Sequence, residues 1–416
     1  MTPLRILHTE SSTVMGGQEL RILSEATGMV RRGHTVILGV PPQSRLKQYA
    51  EREGLPISPV ALKKSRLAPL IFEFLGMIRR HNIDILNTHG SLDSWTASIA
   101  GRLSGLKPVV IRTRHKSTPI APGLRHRILY QKLPHAIITT GETVRDGLIR
   151  RLGIDPSRVV SIPTGVDLEV YRPVQRDASI RTQFGFSSQH ILVGAIAFLR
   201  DYKGLGYLVE AARLVIKAHP DSRFLIVGDG PEKMRLLQQI EDLGLSQHIL
   251  LAGFREDIPQ ILAAMDVCVV CSVEGEGLPQ SLTQAMAMER PVVATTVGSI
   301  PEVVQHRITG LLVPPRDAAG LAEHIGLLIK DPALRRRLAQ QGRALIAGSY
   351  SLDNMLSRTE AFYEELLGRY KPGVGSRLGL REPGDLASHQ HSVRRGEPGR
   401  ISGQRLHRGN RAGRTW

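Results

Sequence analysis

Aromatic residues are scarce in this chain. Two Trp, eight Tyr and eight Phe make up 4% of its 416 residues, and they form no extended run interleaved with basic residues. That excludes the aromatic platform on which nucleic-acid binders stack bases, so no nucleic-acid partner is expected. Cysteine is nearly absent, with only Cys268 and Cys271, which excludes a disulfide framework. Their C-x-x-C spacing invites a redox or metal reading. They sit in a strand pattern, however, where residues three apart point to opposite faces, and a reactive pair needs a helix N-terminus. Two buried core thiols are expected. No apolar run approaches the roughly 20 residues of a membrane span. The first eight residues lack the charged start and long apolar stretch of a signal peptide, so a cytoplasmic chain is the expectation. There is no H-E-x-x-H, no Walker loop, no Cys and His cluster and no D-x-D at a strand end. The chemistry is therefore expected to need neither a metal nor a cofactor.

Positive charge, by contrast, is abundant: 55 Lys and Arg against 38 Asp and Glu, a formal net charge of +17. Much of it lies in residues 370–416, which are rich in Arg, Gly, Ser, Pro and His and lack apolar periodicity. A disordered basic tail is expected there. The remaining body is still basic, which suits phosphorylated substrates and an anionic bilayer. Residues 63–66 (Lys-Lys-Ser-Arg) and 79–81 (Arg-Arg-His) flank an apolar helix over 67–81. That helix either lies on an anionic membrane surface or packs on a sheet with snorkelling cations.

Short apolar runs alternate with helical patterns of ten to fifteen residues. Strands are expected at 4–8, 35–40, 57–60, 83–87, 109–113, 136–140 and 158–162. A second series falls at 191–198, 224–227, 249–251, 265–272, 291–297 and 311–313. The alternation predicts an α/β chain with two Rossmann-like, doubly wound domains. Periodicity lapses between them. The expected organisation is a first domain over 1–165, a linker over 166–188, a second domain over 189–350 and a final helix over 351–369.

The stretch Glu276-Gly277-Leu278-Pro279-Gln280-Ser281-Leu282-Thr283-Gln284-Ala285-Met286-Ala287 joins two apolar strands by a loop and a helix. Such crossings place a helix N-terminus at the carboxyl edge of a parallel sheet, where backbone N–H groups and the helix dipole favour an anion. Pro279 suits the first helical position. The stretch resembles the E-x7-E segment of retaining glycosyltransferases with the GT-B fold, of the group 1 or family 4 type. The resemblance spans about residues 4–368 and is strongest over 193–313. It implies two domains facing across a cleft and a final helix crossing back to the first. In that family the first Glu contacts the donor sugar and the second holds the ribose. Glu276 matches the first position, and Gln284 replaces the second Glu, exchanging a charge-assisted hydrogen bond for a neutral one. Residues 163–167, Pro-Thr-Gly-Val-Asp, resemble the segment that joins the two halves.

The resemblance also implies roles for other residues. Arg200, Lys203 and Gly204 match the family's Arg and Lys-Gly, which bind the diphosphate and support its departure. Gly16 and Gly17 resemble its phosphate-cradling glycine loop, with Gln18 and Glu19 toward the acceptor or sugar. His115 resembles the histidine close to the transferred sugar, and His89 ends a strand on the acceptor side. Gly253 and Phe254 match the segment that meets the base, and Gly277 and Leu278 line the donor. Gly228-Asp229-Gly230-Pro231 reads as a turn and Glu302 as an orienting group. Glu289-Arg290 stands where the family has Gly before Pro.

The implied reaction is retaining transfer of a sugar from a nucleotide diphosphate sugar, a co-substrate, to a glycan or lipid-linked acceptor of the cell-surface polysaccharide or lipopolysaccharide type. Its expected location is the cytoplasm, peripheral on the inner face of the cell membrane. A sugar-nucleotide epimerase of the same architecture, an inactive relative and, more remotely, a basic nucleic-acid-binding protein are the alternatives.

Overall fold

The computed structural model describes residues 3–121, 123–174 and 178–371. Seven strands form the first sheet: β1 (Arg5–Thr9), β2 (Thr35–Val40), β3 (Ile57–Pro59), β4 (Ile85–Thr88), β5 (Val109–Arg114), β6 (Ala136–Thr139) and β7 (Val159–Ser161). Six form the second: β8 (Ile191–Ile196), β9 (Ser222–Val227), β10 (Ile249–Gly253), β11 (Val267–Val270), β12 (Val292–Thr295) and β13 (Leu311–Val313). Their orders are β3-β2-β1-β4-β5-β6-β7 and β10-β9-β8-β11-β12-β13. Neighbouring strands pair in parallel; β1, for instance, pairs Ile6 with Val36 on one side and with Ile85 on the other. Each sheet is doubly wound, reversing direction between its first and fourth strands. Ligands of such sheets bind outside the carboxyl ends of the strands at that reversal. β1 runs there into Glu10, β4 into His89, β8 toward Arg200 and β11 toward Glu276.

Near-continuous apolar runs make the strands, because helices cover both faces of each sheet. Cys268 and Cys271 pack in different apolar clusters on opposite faces of the second sheet. Both are free, and burial pushes each thiol up to about 12, so they are core residues.

The helix Leu352–Tyr370 lies on the first domain although its sequence follows the second. Its Met355, Leu356, Phe362, Tyr363, Leu366 and Leu367 join the cluster built from Ile6, Ile22 and Leu38. Burying side chains of this kind stabilises by roughly 1.5–3 kcal/mol each.

Several local readings change. The helix of the central stretch spans Gln280–Ala287, and Pro279 is its N-cap at φ −64°, ψ 127° rather than its first helical residue. The aperiodic region 166–188 contains a helix, Ala178–Gln183. Arg181 ties it to the second domain through a buried ion pair with Asp266 at 2.5 Å. The helix Leu67–His81 buries Leu70, Phe74, Met77 and Ile78, so it packs on the first sheet. Residues 372–416, which hold nearly all of the expected basic tail, lie outside the described residues; Tyr370 still belongs to the last helix.

Candidate active site

At the reversal of the second sheet, the turn after β8 carries Arg200 and Lys203. Gly204 ends that turn at φ +67°, and a Cβ there would stand 2.1 Å from the Cys271 carbonyl oxygen. Only glycine lets this turn lie against the end of β11. Lys203 is thereby brought to Glu276, and its ammonium donates to the carboxylate. Ser272 Oγ donates to the same Oε1 at 2.6 Å. About 260 Å³ of open space lies among Lys203, Ser272, Pro279 and Ser281. Arg200 is exposed, with its guanidinium 5.1 Å over the Phe198 ring. Leu278 is buried and Gln284 half-buried on the helix Gln280–Ala287.

Gly277 meets the first domain. A Cβ on it would lie 2.2 Å from the His115 carbonyl oxygen and 2.7 Å from Thr140 Oγ1. Other contacts hold the two domains together. Tyr49 donates to Glu256 at 2.6 Å, and Arg45 stacks 4.8 Å over the exposed Phe254, next to Gly253. Gln280 donates to the Gly17 carbonyl. The Glu302 carboxylate accepts from the backbone N–H of Glu142 at 3.0 Å and of Thr143 at 2.8 Å. An acid at the first turn of the helix Glu142–Leu152 also complements its dipole.

The first domain's glycine loop carries contacts of its own. The Gly16 N–H donates to Glu19 Oε2 at 2.9 Å, the one half of a capping box that a glycine N-cap allows, at the start of the helix Gly17–Arg31. The Gly16 N–H and the Glu19 carboxylate thus satisfy one another. Gln18 instead donates to Glu10, a residue no motif had flagged.

Glu10 is buried and also accepts from the Ser12 N–H at 2.8 Å. Burial, with Asp93 and Glu19 nearby, raises its carboxyl from the ordinary 4.5 to about 8. Asp93 accepts from Thr9 Oγ1 at 3.0 Å and from the N–H groups of His89 and Gly90 at 3.1 Å each, while its Oδ1 is buried with no partner. His89 and His115 stand together, Nδ1 to Nε2 at 3.0 Å. Burial holds both imidazoles well below their ordinary 6.5, aided for His115 by Arg21, Arg114, Arg112 and Lys116. Both are neutral near pH 7. The acidic pair escaped sequence reasoning because neither member sits in a motif. The signal available was their position, one at the end of β1 and the other in the first turn after β4.

One departure has a backbone explanation. Glu289 adopts φ +53°, a left-handed conformation that favours glycine. The glutamate thus occupies a geometry that suits glycine in the turn before β12.

Two doubly wound sheets, with Lys203 and Glu276 paired where the second sheet reverses, have the architecture of glycosyltransferases of the GT-B fold. Residues 189–331 match the family model "Glycosyl transferases group 1", and residues 15–170 match "Glycosyltransferase Family 4". The chain belongs to this group 1/family 4 class of glycosyltransferases. It is 28% identical over 306 residues to N-acetyl-alpha-D-glucosaminyl L-malate synthase of Bacillus anthracis, covering 71% of this chain and 78% of that protein. It is 26% identical over 304 residues to the UDP-Gal:alpha-D-GlcNAc-diphosphoundecaprenol alpha-1,3-galactosyltransferase of Escherichia coli, covering 70% and 78%. The structure of Anabaena HepE in complex with UDP-glucose superposes with a TM-score of 0.77 at 23% identity, over 88% of this chain and all of that one, a likeness of fold.

Proposed function

We propose that this chain transfers a sugar, with retention of anomeric configuration, from a nucleotide diphosphate sugar to a glycan or lipid-linked acceptor. The convergence of Lys203 and Glu276 beside Arg200 at the reversal of the second sheet carries this reading. When the bond from C1 to the diphosphate breaks, the electron pair goes to the leaving phosphate oxygen. Fixed cations stabilise that developing charge. Arg200 and Lys203 do so here, in place of a metal. The sugar gains oxocarbenium character beside Glu276, and the acceptor attacks from the face the phosphate leaves. The leaving phosphate takes the acceptor's proton, so no covalent enzyme intermediate forms. Gln284 meets the ribose, Phe254 the base and His115 the sugar. Domain closure through Gly277 and Glu302 would exclude water and spare the donor from hydrolysis.

UDP is the first nucleotide to try, because it is bound in the HepE structure and named in the E. coli relative. The latter's diphosphoundecaprenol acceptor supports a lipid-linked substrate and a cell-surface glycan product. No helix among the described residues is long and apolar enough to cross a membrane. We place the enzyme peripherally on an anionic surface, because Leu67 and Phe72 remain 51% and 71% exposed between basic flanks. Thermal-shift titration with UDP, GDP and ADP sugars tests the donor, followed by NMR of the anomeric proton in the product. An inverted product would overturn retention, and a free isomerised sugar nucleotide would replace transfer with epimerisation.

A further inference from the structure

Three imidazoles stand in line behind the cleft. His115 Nε2 lies 3.0 Å from His89 Nδ1, and His89 Nε2 lies 3.0 Å from His8 Nδ1. His8 Nε2 then lies 3.8 Å from Glu25 Oε1, with both side chains fully buried. His8 sits on β1, His89 follows β4 and His115 follows β5, so three adjacent strands set the line. Glu25 belongs to the helix Gly17–Arg31. The Tyr363 hydroxyl donates to Glu25 Oε1 at 2.8 Å and accepts from Asn87 Nδ2 at 3.0 Å. The other carboxylate oxygen lies 3.6 Å from Arg21 Nε.

We propose that Glu25 is a positioning residue that fixes the tautomer of His115, so that His115 meets its substrate as a hydrogen-bond acceptor at Nδ1. A neutral imidazole has one N–H and one lone pair. Each contact in the line joins Nε2 of one ring to Nδ1 of the next, so the three tautomers are locked together. If His89 carries its proton on Nε2, then His115 must supply Nε2–H and His8 is left with Nε2–H. If His89 carries it on Nδ1, all three rings are Nδ1–H, and His8 turns a lone pair toward Glu25. A separation of 3.8 Å is too long for a hydrogen bond. The carboxylate still attracts an N–H and repels a lone pair, strongly where water is excluded. Glu25 is the largest charge acting on His8, and Arg21 opposes it. The line therefore settles as Nε2–H throughout, and His115 presents a bare Nδ1. A ligand rich in hydroxyl donors fits such an acceptor. This rests on the assignment of His115 to the sugar or acceptor side.

The full chain labelled with 15N-histidine tests this by two-bond 1H–15N correlation spectra, which distinguish a bare ring nitrogen from a protonated one and need no substrate. The wild type is expected to show His115 protonated at Nε2. Glu25→Gln, whose amide can donate to His8 Nε2, should move His115 toward the Nδ1–H form. It should also lower kcat about tenfold while the KM for the donor stays nearly unchanged, the loss expected for one misdirected hydrogen bond. Should that variant unfold, Arg21→Met with Glu25→Leu removes both charges together and should leave His115 a mixture of the two forms in place of Nε2–H alone. Tyr363→Phe disturbs the same packing but keeps the carboxylate, and should leave His115 as Nε2–H. Nδ1–H in the wild type, no change in either Glu25 variant, or an equal change in Tyr363→Phe overturns the proposal. A donor screen without a hit counts against the transferase substrate and leaves these spectra standing.

Discussion

Lys203 and Glu276, seventy-three residues apart, hold one another at the reversal of the second sheet. The pair is largely buried, with side chains 17% and 8% exposed, and Ser272 completes it. On the proposed reading, an arriving diphosphate competes with Glu276 for the ammonium, and the carboxylate holds the cation until that exchange.

Lys203→Ala should reduce transfer at least about 100-fold, as expected for a lost stabiliser of developing charge. It also leaves Glu276 without its cation, at a cost of about 1–3 kcal/mol in stability. Initial rates and urea unfolding measure the two effects. Transfer within threefold of wild type would remove Lys203 from the phosphate role.

Gln284→Glu should tighten donor binding about fivefold, close to 1 kcal/mol, by restoring a charge-assisted bond to the ribose. Isothermal titration with the donor found by thermal shift reads this directly. Weaker binding would detach this position from the ribose.

Gly277→Ala places a methyl group 2.2 Å from the His115 carbonyl oxygen, between the domains. Each domain should keep its fold while the cleft opens. Small-angle scattering should show a larger radius of gyration, and activity should fall. Wild-type dimensions together with wild-type rates would contradict a tight approach at this point.

Glu10 carries a pH dependence of known sign. Its carboxyl is raised from 4.5 to about 8, so between these values the folded chain holds a proton that the unfolded chain releases. Its contribution is full below pH 4.5 and is lost as the pH rises toward 8. Glu10→Gln should flatten that part of the decline and leave the protein more stable than wild type at pH 8.5. Urea midpoints at pH 6 and 8.5 for both proteins decide it; parallel declines would count against a protonated Glu10.

All thirteen strands among the described residues were legible because each is an apolar run bounded by turn residues, from residues 4–8 to 311–313. The partners across them were not. His8 and His89 meet only because β1 and β4 are neighbours, and periodicity carries no strand order. Asp93 meets Thr9 for the same reason. The bond from the Gly16 N–H to the Glu19 carboxylate was not legible either, because Gly16 has no side chain to signal a cap. The helix Ala178–Gln183 was missed because it is short; what fixes it is the long-range bond from Arg181 to Asp266. The Lys203 and Glu276 segments were individually visible through their motifs. Their direct contact required the Gly204 turn to press on the Cys271 carbonyl.

The first domain closes its core with side chains made after the second domain. Met355, Phe362 and Tyr363 reach β1 and its neighbours only after the whole second domain has left the ribosome. A nascent chain stopped at residue 350 would hold a seven-stranded sheet with one greasy flank uncovered, a target for chaperones and proteases. Cutting the gene between the two halves would therefore give a first fragment that still needs residues 352–370 supplied from elsewhere.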